Sequence, residues 1–449
     1  MKRRQFIRTS TAAASTLGFG NFLYLRAETK GANDKISLAL IGCGGRGMST
    51  APGCCKRHPV LQLKTVCDPN RTRLAKAAQS VEKDFGSAPN AVEDMRTIFD
   101  DKSVDAVWIA TWEHWHMPAA IRACQAGKDV YVEKNPSLNI FEGRQLVKAA
   151  AKYDRIVQVG FQNRSAAYAF SARDYIKSGK LGKIVTVKSY NMLNYGGNKF
   201  TVTPEEPVPD DLNWDLWLGP APMQPYRKST FGGRDRYWFL GGGTLSDDAS
   251  HVMDLARLVI GDPPHPKSVY GWGTKQINGG DSQTPQFQEI TYDFGDFVMT
   301  CSNGGVTSYM TKTPGKIRGD KTLFPNWRNN STRTEIYGTE GLMYLGRHGG
   351  GWQVLGKNNE IVAEGGGTFP DQEHQANFVE ALQRRSKPNG DAEQCHRSAV
   401  LVHLGNIAYR VGNKQLLFDG EKERFTNDDK ANELARGTYR EGYSVPENV

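Results

Sequence analysis

Apolar and polar positions follow two rhythms along this chain. From residue 36 to about 160, short apolar runs take turns with longer amphipathic ones. "ISLALI" (36–41), "LQLKTVCD" (61–68), "VDAVWIAT" (104–111), "DVYVEK" (129–134) and "IVQVGF" (156–161) read as strands. Between them, "MSTAPGCCKRHP", residues 71–85, residues 117–127 closed by Gly127, and residues 139–154 read as helices. Strict alternation of strand and helix predicts an α/β doubly wound parallel sheet of five strands over residues 35–160. After 161 the rhythm changes. One helix ("FSARDYIKSGKLG"), a strand ("KIVTVKSYNMLN"), and a stretch rich in Pro, Trp and Gly (203–243) precede a helix over 248–261. Most segments from 267 to 363 alternate as strands, and helices return at 371–385 and 395–410. Residues 161–449 therefore read as a second, α+β domain: a largely antiparallel open sheet with helices on one face. The polar tail after 425 is expected to wrap back.

Length agrees with two domains, since 449 residues exceed one ordinary core. Net charge is +9, but Lys2, Arg3, Arg4, Arg8 and Arg26 supply +5 of it before any acid appears. The +4 left on the remaining chain gives no reason to expect nucleic-acid binding. No apolar stretch is long enough for a membrane helix. Seven Cys, sparse and odd in number, argue against a disulfide framework. The first thirty residues, with Arg3-Arg4 before a mild apolar run from Thr9 to Leu25, resemble a twin-arginine (Tat) signal peptide. The Tat translocon is the partner this implies, with a periplasmic or cell-envelope destination. That route is known for carrying folded proteins, so a bound cofactor could cross with the chain.

The first predicted strand runs into "GCGGRG", where Gly42, Gly44 and Gly47 stand at G-x-G-x-x-G spacing. In a strand–turn–helix setting this is the pattern of a dinucleotide cradle. One glycine makes the turn, one admits the pyrophosphate, and one lets helix and strand pack. Gly45 and Arg46 belong to the same turn. Asp68, 26 residues past Gly42, ends the second strand and could accept from a ribose 2′-hydroxyl. The carboxylate favours NAD over NADP. Arg71 could soften that preference and keeps NADP open.

Lys134 ends the fourth strand, at the sheet edge where ligands bind; an ordinary loop lysine would sit there equally well. Asp247 and His251 are four apart on a predicted helix and Asp254 three further, an arrangement that suits an acid/base pair. An N-capping Asp beside a surface His fits the same spacing.

Taken in order, "IGCGGRG", "TWEHWHMPAA", "GKDVYVEKNPS", "GGGTLSDDASHVMD", "IYGTEG" and "HQANFVEAL" resemble the glucose–fructose oxidoreductase, inositol dehydrogenase and rhizopine-catabolism (Gfo/Idh/MocA) family over nearly the whole chain after residue 35. The resemblance implies that Lys134, Asp247 and His251 surround the substrate carbinol. His251 or Lys134 would take the proton and Asp247 would orient it. Thr111, His116, Glu133 and Lys134 are expected against the cofactor. The family's sheet often mediates oligomers, so a homo-oligomer through the C-terminal sheet is expected. Two departures stand out. Asn135 replaces the family's Pro after the Lys, which moves the expected cis bond to Asn135–Pro136, and Trp112, expected to pack, stands where Pro is common. "LNWDLWLGPAPMQPY" and "HRSAVLVHLGNIAYRVG" resemble a Tat-exported subgroup. Tyr226, Trp238, Arg164 and Arg236 are candidate sugar contacts. "EHWH" lacks a completing cluster, so no metal is expected.

These readings imply an exported NAD(P)-dependent oxidoreductase acting on a sugar, cyclitol or glycoside, with a tightly held, recycled cofactor. A redox-neutral glycosidase like glycoside hydrolase family 109, using transient oxidation and elimination, shares the same residues. A nucleotide-binding sensor without catalysis is the third reading.

Overall fold

The computed structural model describes residues 35–193, 199–275, 279–305, 308–412 and 414–449; the export signal expected in residues 1–30 lies outside them. The first half runs β1 (Ile36–Ile41), α1 (Gly45–Arg57), β2 (Leu61–Cys67), α2 (Arg71–Phe85), β3 (Asn90–Val92), α3 (Arg96–Asp100), β4 (Ala106–Ile109), α4 (Glu113–Gln125), β5 (Asp129–Val132), α5 (Ile140–Lys152) and β6 (Val157–Val159). All pairings are parallel, in the order β3-β2-β1-β4-β5-β6. β1 and β4 lie at the centre, covered on both faces, and that burial demands their almost wholly apolar sequences. β3 is the sixth strand that the apolar pattern does not announce. It is a three-residue edge strand, largely exposed, with too little apolar sequence to show a period. α4 begins at Glu113, a turn before the expected start. Extended Trp112 opens the helix, and Pro118 sits inside it.

The second half continues with α6 (Ala167–Lys177), β7 (Ile184–Asn191), α7 (Trp214–Leu218), α8 (Lys228–Gly232), α9 (Ser250–Val259), β8 (Ser268–Thr274), β9 (Phe287–Asp293), β10 (Val298–Asn303) and α10 (Gly315–Gly319). It ends with β11 (Thr332–Gly338), β12 (Leu342–Gly346), β13 (Trp352–Leu355), β14 (Ile361–Gly365), α11 (Asp371–Arg384), α12 (Ala392–Val411), β15 (Leu416–Asp419), β16 (Arg424–Phe425) and α13 (Asp429–Arg436). Ten strands form one sheet, antiparallel throughout except where β7 pairs with β10. Residues alternate between buried and half-exposed along β9 and β10. The buried face packs on α6, α9 and α12 around Met253, Tyr292, Ile336 and Leu404. The other face is open, with Tyr270, Trp272 and Val298 exposed.

The chain crosses back between the halves. Phe378, Val379 and Leu382 of α11 complete the first sheet's core beside Trp108 and Tyr131, whose rings stack at 3.8 Å. Val445 and Val449 of the tail enter the core on the opposite side, and Tyr443 meets the Trp115 ring edge-on at 5.6 Å. The tail thus wraps back onto the first half.

α9 is fixed by charge as well as by packing. Arg164 is buried, with Nε 2.7 Å from Asp254 Oδ1 and Nη2 2.9 Å from Asp262 Oδ1. Ser398 of α12 donates to Asp254, and Arg257 bonds Ser398 and the Gln394 carbonyl. Arg164 and Asp254 are therefore bound to each other inside the second half, away from any opening. The sugar-contact expectation for Arg164, and the expected company of Asp254 and His251 at one site, give way to this buried pairing. Replacing Arg164 by Met leaves Asp254 buried without its cation and should cost about 3–5 kcal/mol in urea unfolding. Unchanged stability together with a raised KM would return Arg164 to the substrate.

Candidate active site

A cavity of about 470 Å³ opens at the C-terminal edge of the first sheet, where the strand order reverses between β1 and β4, and reaches the turn that precedes α9. Its walls include Gly42, Gly44, Gly45, Arg46, Asp68, Thr111, His116, Glu133, Lys134, Asp247 and His251. These residues come from both halves of the chain.

The glycine turn is shaped for a ligand. Gly42 has φ +95°, and a Cβ there would lie 2.6 Å from the Ala110 carbonyl oxygen, so only glycine makes the turn. A Cβ at Gly47 would lie 2.1 Å from the Gly42 oxygen, which explains the close contact of α1 with β1. Gly47 is thus the one glycine of the motif behind the wall. A Cβ on Gly44 or Gly45 would meet nothing within 4 Å. The open N-terminus of the 13-residue α1 therefore faces the cavity. Asp68 lies at the far wall, its carboxylate accepting from the N–H groups of Cys43 (2.9 Å) and Asn70 (3.0 Å). Burial raises its pKa, opposed by Arg73, whose Nη1 lies 3.6 Å away. Arg73, not Arg71, is the arginine at this wall. Arg71 turns outward to the Asp210 carbonyl and Glu93. A helix N-terminus at a glycine turn and a carboxylate at the end of the second strand fit a dinucleotide.

Arg46 does not stand free. Its Nε donates to Glu133 at 2.8 Å and its Nη2 to Asp371 at 2.9 Å, tying α1 to β5 and α11. Burial raises the Glu133 pKa and Arg46 opposes it. His116 has Nδ1 2.8 Å from the Asn135 carbonyl and Nε2 3.1 Å from the Thr111 carbonyl, so it positions the backbone that follows Lys134. The cis bond is Lys134–Asn135, not Asn135–Pro136. The other members of "EHWH" are engaged elsewhere. Glu113 accepts from Gly242 N–H, and His114, buried and held down to about 4 by that burial, bonds the Trp217 carbonyl. Trp112 lines the cavity and also packs edge-on against Trp217, which lines it too.

At the opposite end, Lys134 Nζ donates to Asp247 Oδ1 at 2.5 Å, with both side chains mostly buried. Asp247 is not one helical turn from His251 as expected. It lies in a π-type turn (Leu245–Ala249) with ψ −112°, and that turn rather than helical spacing aims it at the cavity. His251, in the first turn of α9, is buried beside Phe161. Burial first, then the cations of Arg347 and Lys134, hold its pKa well below 6.5. Its Nδ1 has no hydrogen-bond partner among the described residues. A neutral imidazole, an ammonium and its carboxylate around one cavity can exchange a proton with a hydroxyl and stabilise charge on its oxygen.

Sequence reading missed Asp248, Lys312 and Arg347, which line the same end. Asp248 is the neighbour of Asp247 and could have been read from "SDDASH"; Lys312 and Arg347 come from distant loops without a local pattern. Three expected sugar contacts lie elsewhere. Tyr226 packs edge-on against Trp214 at 5.2 Å, Arg236 covers the Phe200 ring at 5.7 Å, and Trp238 sits under Arg410 at 5.1 Å. Tyr226 and Arg236 engage neighbours in the loop layer and Trp238 engages α12, so none of the three lines the cavity.

Fold and site together define a two-domain, NAD-binding oxidoreductase. The chain belongs to the GFO_IDH_MocA oxidoreductase family. Its NAD-binding Rossmann model matches residues 36–161, and its C-terminal alpha/beta domain model matches residues 171–334 and 356–445. The chain is 27% identical over 324 residues to levoglucosan dehydrogenase of Pseudarthrobacter phenanthrenivorans, covering 68% of this chain and 72% of that protein. It is 30% identical over 314 residues to scyllo-inositol 2-dehydrogenase (NAD(+)) of Bacillus subtilis, covering 70% and 74%. A solved levoglucosan dehydrogenase, in complex with NADH and levoglucosan, shares the fold with TM-score 0.62 at 18% identity, over 88% of this chain and 99% of that one.

The cradle makes a paired prediction. Gly44→Val should leave the unfolding midpoint near wild type yet abolish stabilisation by NAD. Gly47→Ala should cost about 1–3 kcal/mol or more in the unliganded protein. Thermal unfolding with and without NAD checks both. A Gly44→Val protein that still gains stability from NAD would contradict the assignment of the turn.

Proposed function

We propose that this protein oxidises a secondary alcohol of a sugar or cyclitol, or reduces the matching ketone. Supporting this reading is one observation above the others: the dinucleotide cradle and the Lys134–Asp247–His251 group share a single cavity. NAD, when bound, supplies the hydride acceptor. The chain's own side chains do the rest. His251, which lines the cavity and is kept neutral by its surroundings, takes the hydroxyl proton. Lys134, aimed by Asp247, donates to the same oxygen as negative charge gathers there. His116 steadies the Lys134–Asn135 backbone. Trp112 and Trp217 give the same cavity an apolar wall that limits the water in it.

The arginine pair near the N-terminus supports export of the folded protein by the twin-arginine route. Outside the cytoplasm free dinucleotide is scarce, so the cofactor would be held and recycled within each turnover. The open sheet face bearing Tyr270, Trp272 and Val298 suits self-association of the chain.

Purified protein incubated with NAD and a panel of sugars, cyclitols and glycosides tests the reading. Reduced nicotinamide should accumulate with at least one alcohol. Free sugar and aglycone without net reduced nicotinamide would assign the redox-neutral glycosidase instead. Because the free imidazole is the acting form, kcat/KM for oxidation should hold level as pH falls through 6.5, with its acid limb displaced to lower pH. His251→Gln should slow oxidation by roughly 10²–10⁴-fold. An acid limb centred at or above 6.5 that disappears in His251→Gln would contradict this role.

A further inference from the structure

The cavity holds a second charged group that the proton chemistry does not use. Asp248 is buried, and Lys312 Nζ donates to its Oδ2. Arg347 Nη2 and His348 Nε2 lie 3.9 and 3.7 Å from its Oδ1. Burial works to raise the Asp248 pKa, but Arg347, Lys134 and Lys312 outweigh it and keep the carboxylate ionised. His348 is held neutral by burial and the adjacent Arg347, and bonds Thr332 through Nδ1. This cluster therefore contains two cations against one carboxylate.

Arg347 is the anomaly. It is 3% exposed and lines the cavity, yet its Nε and Nη1 find no hydrogen-bond partner among the described residues. At 3.9 Å, Asp248 offsets its charge without satisfying those N–H groups. The Phe369 ring faces the guanidinium at 5.1 Å and supplies no acceptor oxygen. Leaving buried charged donors unpaired is costly, and a structural arginine would be bonded as Arg164 is. The planar fork matches a carboxylate held by two parallel bonds, and the pair that can make them here is Nη1 with Nη2, whose nearest acid, Asp248 Oδ1, lies 3.9 Å away. One excess positive charge suits a monoanion; a dianionic phosphate would bring surplus negative charge beside Asp247 and Asp248.

We propose that Arg347 and Lys312 form a subsite for a carboxylate on the substrate, so that the preferred substrates are sugar acids such as uronates rather than neutral polyols. This rests on the sugar-oxidation reading above and deepens it. Lys134, Asp247 and His251 line the same end, so the reacting carbinol and the carboxylate belong to one small molecule.

The test uses the full protein saturated with NAD. Stabilisation by NAD alone is scored first, since its absence would sink the dinucleotide reading itself. D-glucuronate against D-glucose, D-galacturonate against D-galactose, D-gluconate and D-glucose 6-phosphate are then compared by thermal shift and by reduced nicotinamide formed. At least one acid should bind, or turn over, roughly 10²-fold better than its neutral partner. Arg347→Met and Lys312→Met should collapse that ratio towards one. Arg347→Lys keeps the charge without the fork and should give an intermediate ratio, which covers the case in which Arg347→Met fails to fold. With NAD bound, three results would overturn the subsite: equal or better use of the neutral sugars, no shift with any acid, or a ratio unmoved in the variants. Preference for the 6-phosphate over every carboxylate would overturn the assignment to a monoanion.

Discussion

A single ion pair, Lys134 to Asp247 at 2.5 Å, closes the site across the two halves of the chain. Lys134 follows β5 of the parallel sheet, and Asp247 lies in the π-type turn that leads into α9. In a mostly buried ion pair of this kind the cost of desolvating both charges offsets much of their attraction, and its value here is positional. It sets the ammonium in the cavity that the cradle shares, with His251 on the same wall. Much of the surrounding structure acts by holding one end of this pair.

On the first half, the holding is steric and polar. Gly42 and Gly47 allow α1 to sit against β1 without a side chain between them. Arg46 clamps Glu133, the residue before Lys134, and reaches Asp371 of α11. His116 bonds the carbonyl of Asn135, the residue after it. On the second half, the holding is electrostatic and buried. Arg164, Asp254, Asp262 and Arg257 lock α9 against α12, and so fix His251 at the base of the turn. The low-dielectric surroundings that make this network costly to break also keep His251 neutral.

Local constraints were the legible part of this chain. The strands of the first sheet declare themselves because burial on both faces leaves almost no polar choice, and the glycine turn because its backbone admits little else. Asp68 followed from its place at the end of β2. Lys134, Asp247 and His251 were each ambiguous locally, and only the joint order of motifs brought them together. Even then the reason for Asp247 and His251 was misjudged, since a π-type turn replaces the helical spacing that suggested them. β3 escaped because three exposed residues carry no period. Arg73, Lys312 and Arg347 escaped because their approach to the cavity is set by long-range packing. Tyr226, Arg236 and Trp238 misled for the converse reason: an aromatic-rich stretch looks alike whether it lines a cavity or packs on itself, as Trp214 and Tyr226 do.

One cavity lined by side chains from both halves is shaped to receive the reactive end of a dinucleotide. The decisive measurement is a crystal structure of the protein with NADH. Pyrophosphate is expected at the N-terminus of α1 beside Gly44 and Gly45, a ribose at Asp68, and the nicotinamide facing Lys134, Asp247 and His251. A dinucleotide bound with its nicotinamide turned away from Lys134, or with no ribose at Asp68, would contradict it.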